Sequence, residues 1–94
     1  MSARSELARF LRERRALLRP DDVGLPADGL RRTPGLRREE VAELANMSVD
    51  YYVRLEQAHG PHPSARILDS LTAALRLDAA ERLHLFRLAG ADRQ

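Results

Sequence analysis

The sequence predicts an all-α fold, a bundle of five helices, on three observations. Apolar residues recur at helical spacing in five separate stretches, most of them bounded by a capping or helix-breaking residue. No stretch shows the apolar–polar alternation of a half-buried strand, and no segment repeats. At 94 residues the chain reads as one domain, residues 1–94, large enough for a single modest core and too small for two. Apolar content of 44% is ordinary and charged content of 32% somewhat high.

The first helix is expected over about residues 5–18, where Leu7, Phe10, Leu11, Leu17 and Leu18 recur at helical spacing before Pro20 stops the pattern. Arg4, Arg9, Arg12, Arg14, Arg15 and Arg19 are assigned to its remaining surface. A basic helix lying on a membrane is the competing reading, but Glu6 and Glu13 and the lack of Trp favour core packing. Residues 20–35, "PDDVGLPADGLRRTPG", hold three of the five prolines and three of the five glycines. They read as a long loop with a short turn near Pro20–Val23, and long ordered loops are often functional.

"RREEVAELA" then gives a second helix with Val41, Leu44 and Ala45 on one face. After only Asn46 and Met47 comes "SVDYYVRLEQ", a third helix capped by Ser48. "HGPHPS" breaks the chain, and a fourth helix starts from a Ser64 cap with Ile67, Leu68, Leu71 and Leu75 inward. The fifth, "DAAERLHLFRLAG", opens with Asp78 and Glu81 at capping-box spacing and closes at Gly90.

Charge and composition narrow the function classes. Residues 1–38 carry ten Arg against five acids, whereas residues 39–94 carry six against nine, within a net charge of +2. All sixteen basic residues are arginine, which suits bidentate phosphate recognition but is also what a GC-rich genome produces. With no cysteine, a disulfide framework and cysteine-based metal sites are excluded. His59 and His62 form an "HGPH" pair that lacks a third ligand, so neither metal nor cofactor is expected. No nucleophile–base motif or phosphate-binding glycine loop is present, and an enzyme is not expected. The N-terminus has no uninterrupted apolar core and no span reaches transmembrane length, so the expected location is the cytoplasm, off the membrane.

The connection between the second and third helices is about three residues, short enough to force a large angle between them, as in a helix-turn-helix. Asn46 is the residue expected to tolerate the left-handed conformation there, with Met47 as the apolar plug. Tyr52 and Leu55 anchor the third helix, the Tyr52 hydroxyl reaching toward the edge of the open face. Val49, Asp50, Val53 and Arg54 are left facing a partner.

The run "LRREEVAELANMSVDYYVRLEQAHGPHPSARILDSLTAALRL" resembles the Xre/Cro/phage-repressor type of helix-turn-helix. The loop "DVGLPADGLRRTPGLRREEVAELA" and the phrase "SVDYYVRLEQ" make it most similar to the DNA-binding half of MmyB-like bacterial transcription regulators. The resemblance spans essentially the whole chain, with the helix-turn-helix at about residues 37–57. It implies that a polar residue opening the second helix bonds a phosphate, a position held by Arg38 with Arg37 beside it. It implies base contacts in the major groove from Ser48, Val49, Asp50, Tyr51 and Arg54. Loop 58–62, with His59 and His62, would lie along the DNA backbone, and Arg15 would pair with Glu56.

Side-chain chemistry fits most of these roles. Arg54 can bond guanine O6 and N7, Val49 can touch a thymine methyl, and Tyr51 can offer its hydroxyl to phosphate. Asp50 either accepts from cytosine N4 or sits in the first turn favoured by the helix dipole. Arg31 and Arg32 are either a backbone or minor-groove clamp or solvated loop charges. Two departures from the pattern are Asn46 in place of the turn glycine and Arg37 in place of a Ser or Thr cap, which leaves that cap missing.

The resemblance implies a double-stranded operator as partner and a homodimer on two-fold DNA. MmyB-like proteins usually carry a C-terminal ligand-sensing domain, and this chain stops at "LAGADRQ", about where such a linker would begin. Two alternatives stand beside this reading: an antitoxin-like or phage-type repressor, and a protein-interaction bundle that binds no DNA.

Overall fold

The computed structural model describes residues 3–26, 35–60 and 62–90. Five α-helices follow one another: α1 Ala3–Leu17, α2 Arg38–Leu44, α3 Val49–Glu56, α4 Ala65–Ala74 and α5 Ala79–Ala89. A 3₁₀ turn at Pro20–Val23 follows α1, where the sequence places a short turn, and no strand occurs among the described residues. The all-α, five-helix expectation is met. Residues 27–34 of the long loop, with Arg31 and Arg32, lie outside the described residues.

One apolar cluster unites the helices. Leu11, Leu36, Val41, Tyr52, Leu68, Leu71, Leu75 and Leu85 are fully enclosed in it. Each such side chain gains about 1.5–3 kcal/mol from leaving water. Two leucines expected inside are not. Leu17 is 68% exposed, because Leu18 lies two turns beyond Leu11 and takes the inward position while Leu17 is rotated about 100° away. Leu44 is 36% exposed, since the inward stripe of α2 centres on Val41, Ala42 and Ala45, roughly a quarter turn from it.

The helix ends follow from local chemistry. Ser48 Oγ accepts from the Tyr51 N–H at 3.1 Å and Ser64 Oγ from the Ile67 N–H at 3.2 Å, the caps the sequence predicts. Asp78 and Glu81 exchange the two bonds of a capping box, and Gly90 closes α5 with φ 71°. At α2 the Arg37 side chain makes no cap bond, but the Glu40 carboxylate accepts from the Arg37 N–H at 2.7 Å. The missing cap is thus offset from the other side.

Three helices close by the same two-bond turn. At α2, Met47 N–H bonds Ala42 O at 3.0 Å and Asn46 N–H bonds Glu43 O at 3.1 Å, with Asn46 at φ 57°. The half-buried Met47 packs on the core, as a plug for the turn should. Ala58 (φ 59°) and Arg76 (φ 56°) play the part of Asn46 after α3 and α4, without the tolerance of Gly or Asn. Gly35 meets a different demand: a Cβ there would overlap the Arg15 carbonyl oxygen and Ala16 Cα. Its absence lets the chain lie on the end of α1, where Leu36 N–H bonds Arg15 O at 3.0 Å.

Candidate nucleic-acid interface

The inner side of α3 ends on a buried charge. The Glu56 side chain is 0% exposed, and the resemblance pairs it with Arg15. Arg15 reaches it with two bonds, Nε to Oε2 at 2.6 Å and Nη2 to Oε1 at 2.9 Å. The third edge of the same guanidinium donates to Leu36 O at 3.0 Å, tying α1 to the segment that enters α2. Burial alone would push the Glu56 carboxyl up, but the Arg15 bonds, the adjacent Tyr52 hydroxyl, the Arg15 charge and, last, the Arg38 bond outweigh it and hold the group below its usual range. Arg15 is held more firmly protonated, chiefly by its bonds to Glu56.

Two further arginines converge on Glu56: Arg12, which the sequence assigns to the surface of the first helix, and Arg38, expected at a phosphate. Arg12 Nη1 donates to the Glu56 main-chain oxygen at 2.7 Å, satisfying a carbonyl at the C-terminus of α3. Arg38 Nε donates to Glu56 Oε1 at 3.0 Å, so the predicted phosphate-binding residue is also bonded internally. Arg12 precedes Arg15 by one helical turn and so shares its face, a signal that was present in the sequence.

Tyr52 packs fully inside, and its hydroxyl does not emerge at the edge of the open face as expected. The oxygen is buried beside the Arg15–Glu56 pair without a hydrogen bond of good geometry. Burial first, and the Glu56 carboxylate second, push its ionisation far up, so the phenol stays neutral.

The outer side of α3 is different. Ser48, Val49, Asp50 and Arg54 are exposed, and Val49 is 41% open despite being apolar. Ser48 Oγ accepts the cap bond, which leaves its O–H proton for an external acceptor. Asp50 lies in the first turn of α3, where the helix dipole favours a carboxylate. Tyr51 is half-buried with its ring partly on the core, and burial raises its ionisation. Its surface available to a partner is therefore smaller than a fully exposed ring would give.

Arg54 is exposed, and its stem passes over the loop that follows α3. A Cβ at Gly60 would sit 3.7 Å from Arg54 Cδ, ordinary contact, so loop and stem lie side by side and glycine is favoured there by its φ of 85°. His59 N–H bonds Arg54 O at 2.9 Å, and both His59 and His62 are exposed. Arg37 is half-buried and has partners within the protein, whereas the Arg38 side chain is 43% exposed. The structure thus gathers Arg15, Arg38 and Glu56 into one cluster and leaves Ser48, Val49, Asp50 and Arg54 open on α3.

A shallow groove of about 230 Å³ lies elsewhere, between α1 and α5, lined by Glu6, Arg9, Phe10, Glu13, His84 and Leu88. The Phe10 and His84 rings meet there edge to face at 5.3 Å. No group of three His, Cys, Asp or Glu that could hold a metal occurs among the described residues. No described helix is long and apolar enough to cross a membrane.

Comparison with curated proteins and with solved structures gave no match. Comparison with protein families did: a model described as a helix-turn-helix domain matches residues 6–85. That span runs from α1 into α5 and includes the capped α3, the Asn46 turn and the Glu56 cluster. On this match, the chain belongs to the helix-turn-helix domain family.

Proposed function

We propose that the protein is a bacterial, cytoplasmic transcription regulator that binds double-stranded DNA sequence-specifically, of the Xre/Cro/phage-repressor type and closest to MmyB-like regulators. The observation that carries this reading is the contrast within α3, whose inner side is packed in the core and tied through Glu56 to Arg12, Arg15 and Arg38 while Ser48, Val49, Asp50 and Arg54 stay exposed at its outer side. In this reading α3 enters the major groove and Arg54 reads guanine, worth roughly 1–3 kcal/mol of discrimination. Val49 meets a thymine methyl, Ser48 and Tyr51 supply hydroxyls, and Asp50 accepts from cytosine or serves its own helix. Arg38, with Arg31, Arg32, Arg37, His59 and His62, attends to phosphates, and two copies bind a two-fold operator.

The test is selection of bound duplexes from a random pool, followed by fluorescence anisotropy across a salt series. A palindromic consensus is expected, with log affinity falling linearly with log salt by about 0.9 per neutralised phosphate. A protein-interaction bundle is the second reading, favoured by the exposed Leu17 and Leu83 and by the α1–α5 groove. It predicts no salt-dependent duplex binding.

A further inference from the structure

We propose that Glu56 positions Arg38, holding its guanidinium by the inner edge so that the outer edge is presented to a phosphodiester oxygen. The inference rests on the DNA-binding reading and names a residue that acts in it through another. Three observations support it. Glu56 is a fixed point, with its carboxylate gripped twice by Arg15 and its main-chain oxygen bonded by Arg12. Arg15 alone supplies a bidentate countercharge, so Glu56 does not need Arg38 for neutralisation. Arg38 nevertheless donates Nε to Oε1 at 3.0 Å while its side chain remains 43% exposed.

A guanidinium tethered at Nε keeps its two Nη groups in a known plane, and that edge matches a phosphate. Arginine can serve the buried carboxylate and an outside anion at once because its donors point in different directions. A lysine ammonium at position 38 would be a point charge without that division of edges.

The sign of one substitution separates this from simple electrostatics. Removing a carboxylate near DNA should tighten binding if charge alone matters. If Glu56 positions Arg38, its removal should weaken binding instead.

The experiment uses the full chain and a mixed-sequence duplex of about two helical turns, read by anisotropy over a salt series, with circular dichroism confirming that each variant is folded. Arg38→Ala is expected to weaken binding roughly tenfold and to lower the salt slope by about 1. Glu56→Gln should weaken binding comparably in the wild-type background and have no further effect when Arg38 is already Ala. Arg38→Lys should resemble Arg38→Ala more than wild type. Tighter or unchanged binding by Glu56→Gln overturns the proposal, as does a loss that persists when Arg38 is Ala. Should Glu56→Gln fail to fold, Arg38→Lys decides alone: wild-type binding by it overturns the positioning role. A wild-type chain without salt-dependent duplex binding would instead overturn the DNA-binding reading itself.

Discussion

On the inner side of α3, Glu56 receives donors from Arg12, Arg15 and Arg38 while Tyr52 and Leu55 are sealed in the core. On the outer side, Asp50 and Arg54 make no side-chain hydrogen bond to any described residue, and Val49 stays open to water. The helix is thus over-determined along one stripe and uncommitted along the other. A polar group already bonded internally gives little to a partner, and an unbonded one on a rigid helix can do so at little ordering cost. On the DNA-binding reading proposed above, fixing α3 from within is what lets its outer residues serve as a template.

The largest effect should come from breaking the inner side. Arg15→Ala removes both strong donors from a buried carboxylate and the bond to Leu36 O, and should lower unfolding free energy by about 3–5 kcal/mol. Urea denaturation at pH 7 measures it; a change below 1 kcal/mol would show that Arg38 and solvent can replace Arg15. Acid should act on the same pair, through Glu56. Because the folded Glu56 carboxyl titrates below its usual 4.5, its contribution is complete above that value and is lost as pH falls through the lower, folded one. Urea midpoints should drop as pH falls below 4.5, and drop less in Glu56→Gln.

Breaking the outer side should leave stability alone. Arg54→Ala removes an exposed side chain, and its effect on the urea midpoint should stay within about 0.5 kcal/mol. Its cost should fall on binding instead, about 1–3 kcal/mol and confined to one or two base pairs of a selected operator. Equal losses on every duplex would remove Arg54 from base reading and place it among the phosphate contacts.

The difference between the two sides was only partly legible beforehand. Helix periodicity, the Ser48 and Ser64 caps, the Asp78–Glu81 box and the Asn46 turn are local signals, and all of them stand in the structure. The outer residues of α3 were legible by elimination, once Tyr52 and Leu55 were assigned inward. The inner charge cluster was not, because its partners are 44, 41 and 18 residues apart in sequence. An arginine on a mixed helix reads as surface until the carboxylate it meets is known. Leu17 and Leu44 failed for a related reason: spacing tolerates several stripe directions, and only the packed neighbours choose among them.

The smallest effect tests whether the inner side is held by its side chains alone or also by the turn that ends α3. Ala58 sits at φ 59° there, with its N–H on Leu55 O at 3.3 Å and that of His59 on Arg54 O at 2.9 Å. A left-handed conformation costs an L-residue roughly 1–2 kcal/mol, and glycine avoids that cost. Glycine also makes the unfolded chain more flexible, which costs about 0.4–1 kcal/mol. The first term is the larger, so Ala58→Gly should raise unfolding free energy by about 0.5–1 kcal/mol while the turn keeps its two bonds. Duplex affinity should not change, because neither Arg54 nor the Glu56 cluster is displaced. A gain in stability accompanied by weaker binding would mean that the turn, as well as the arginines, sets the pose of the outer face.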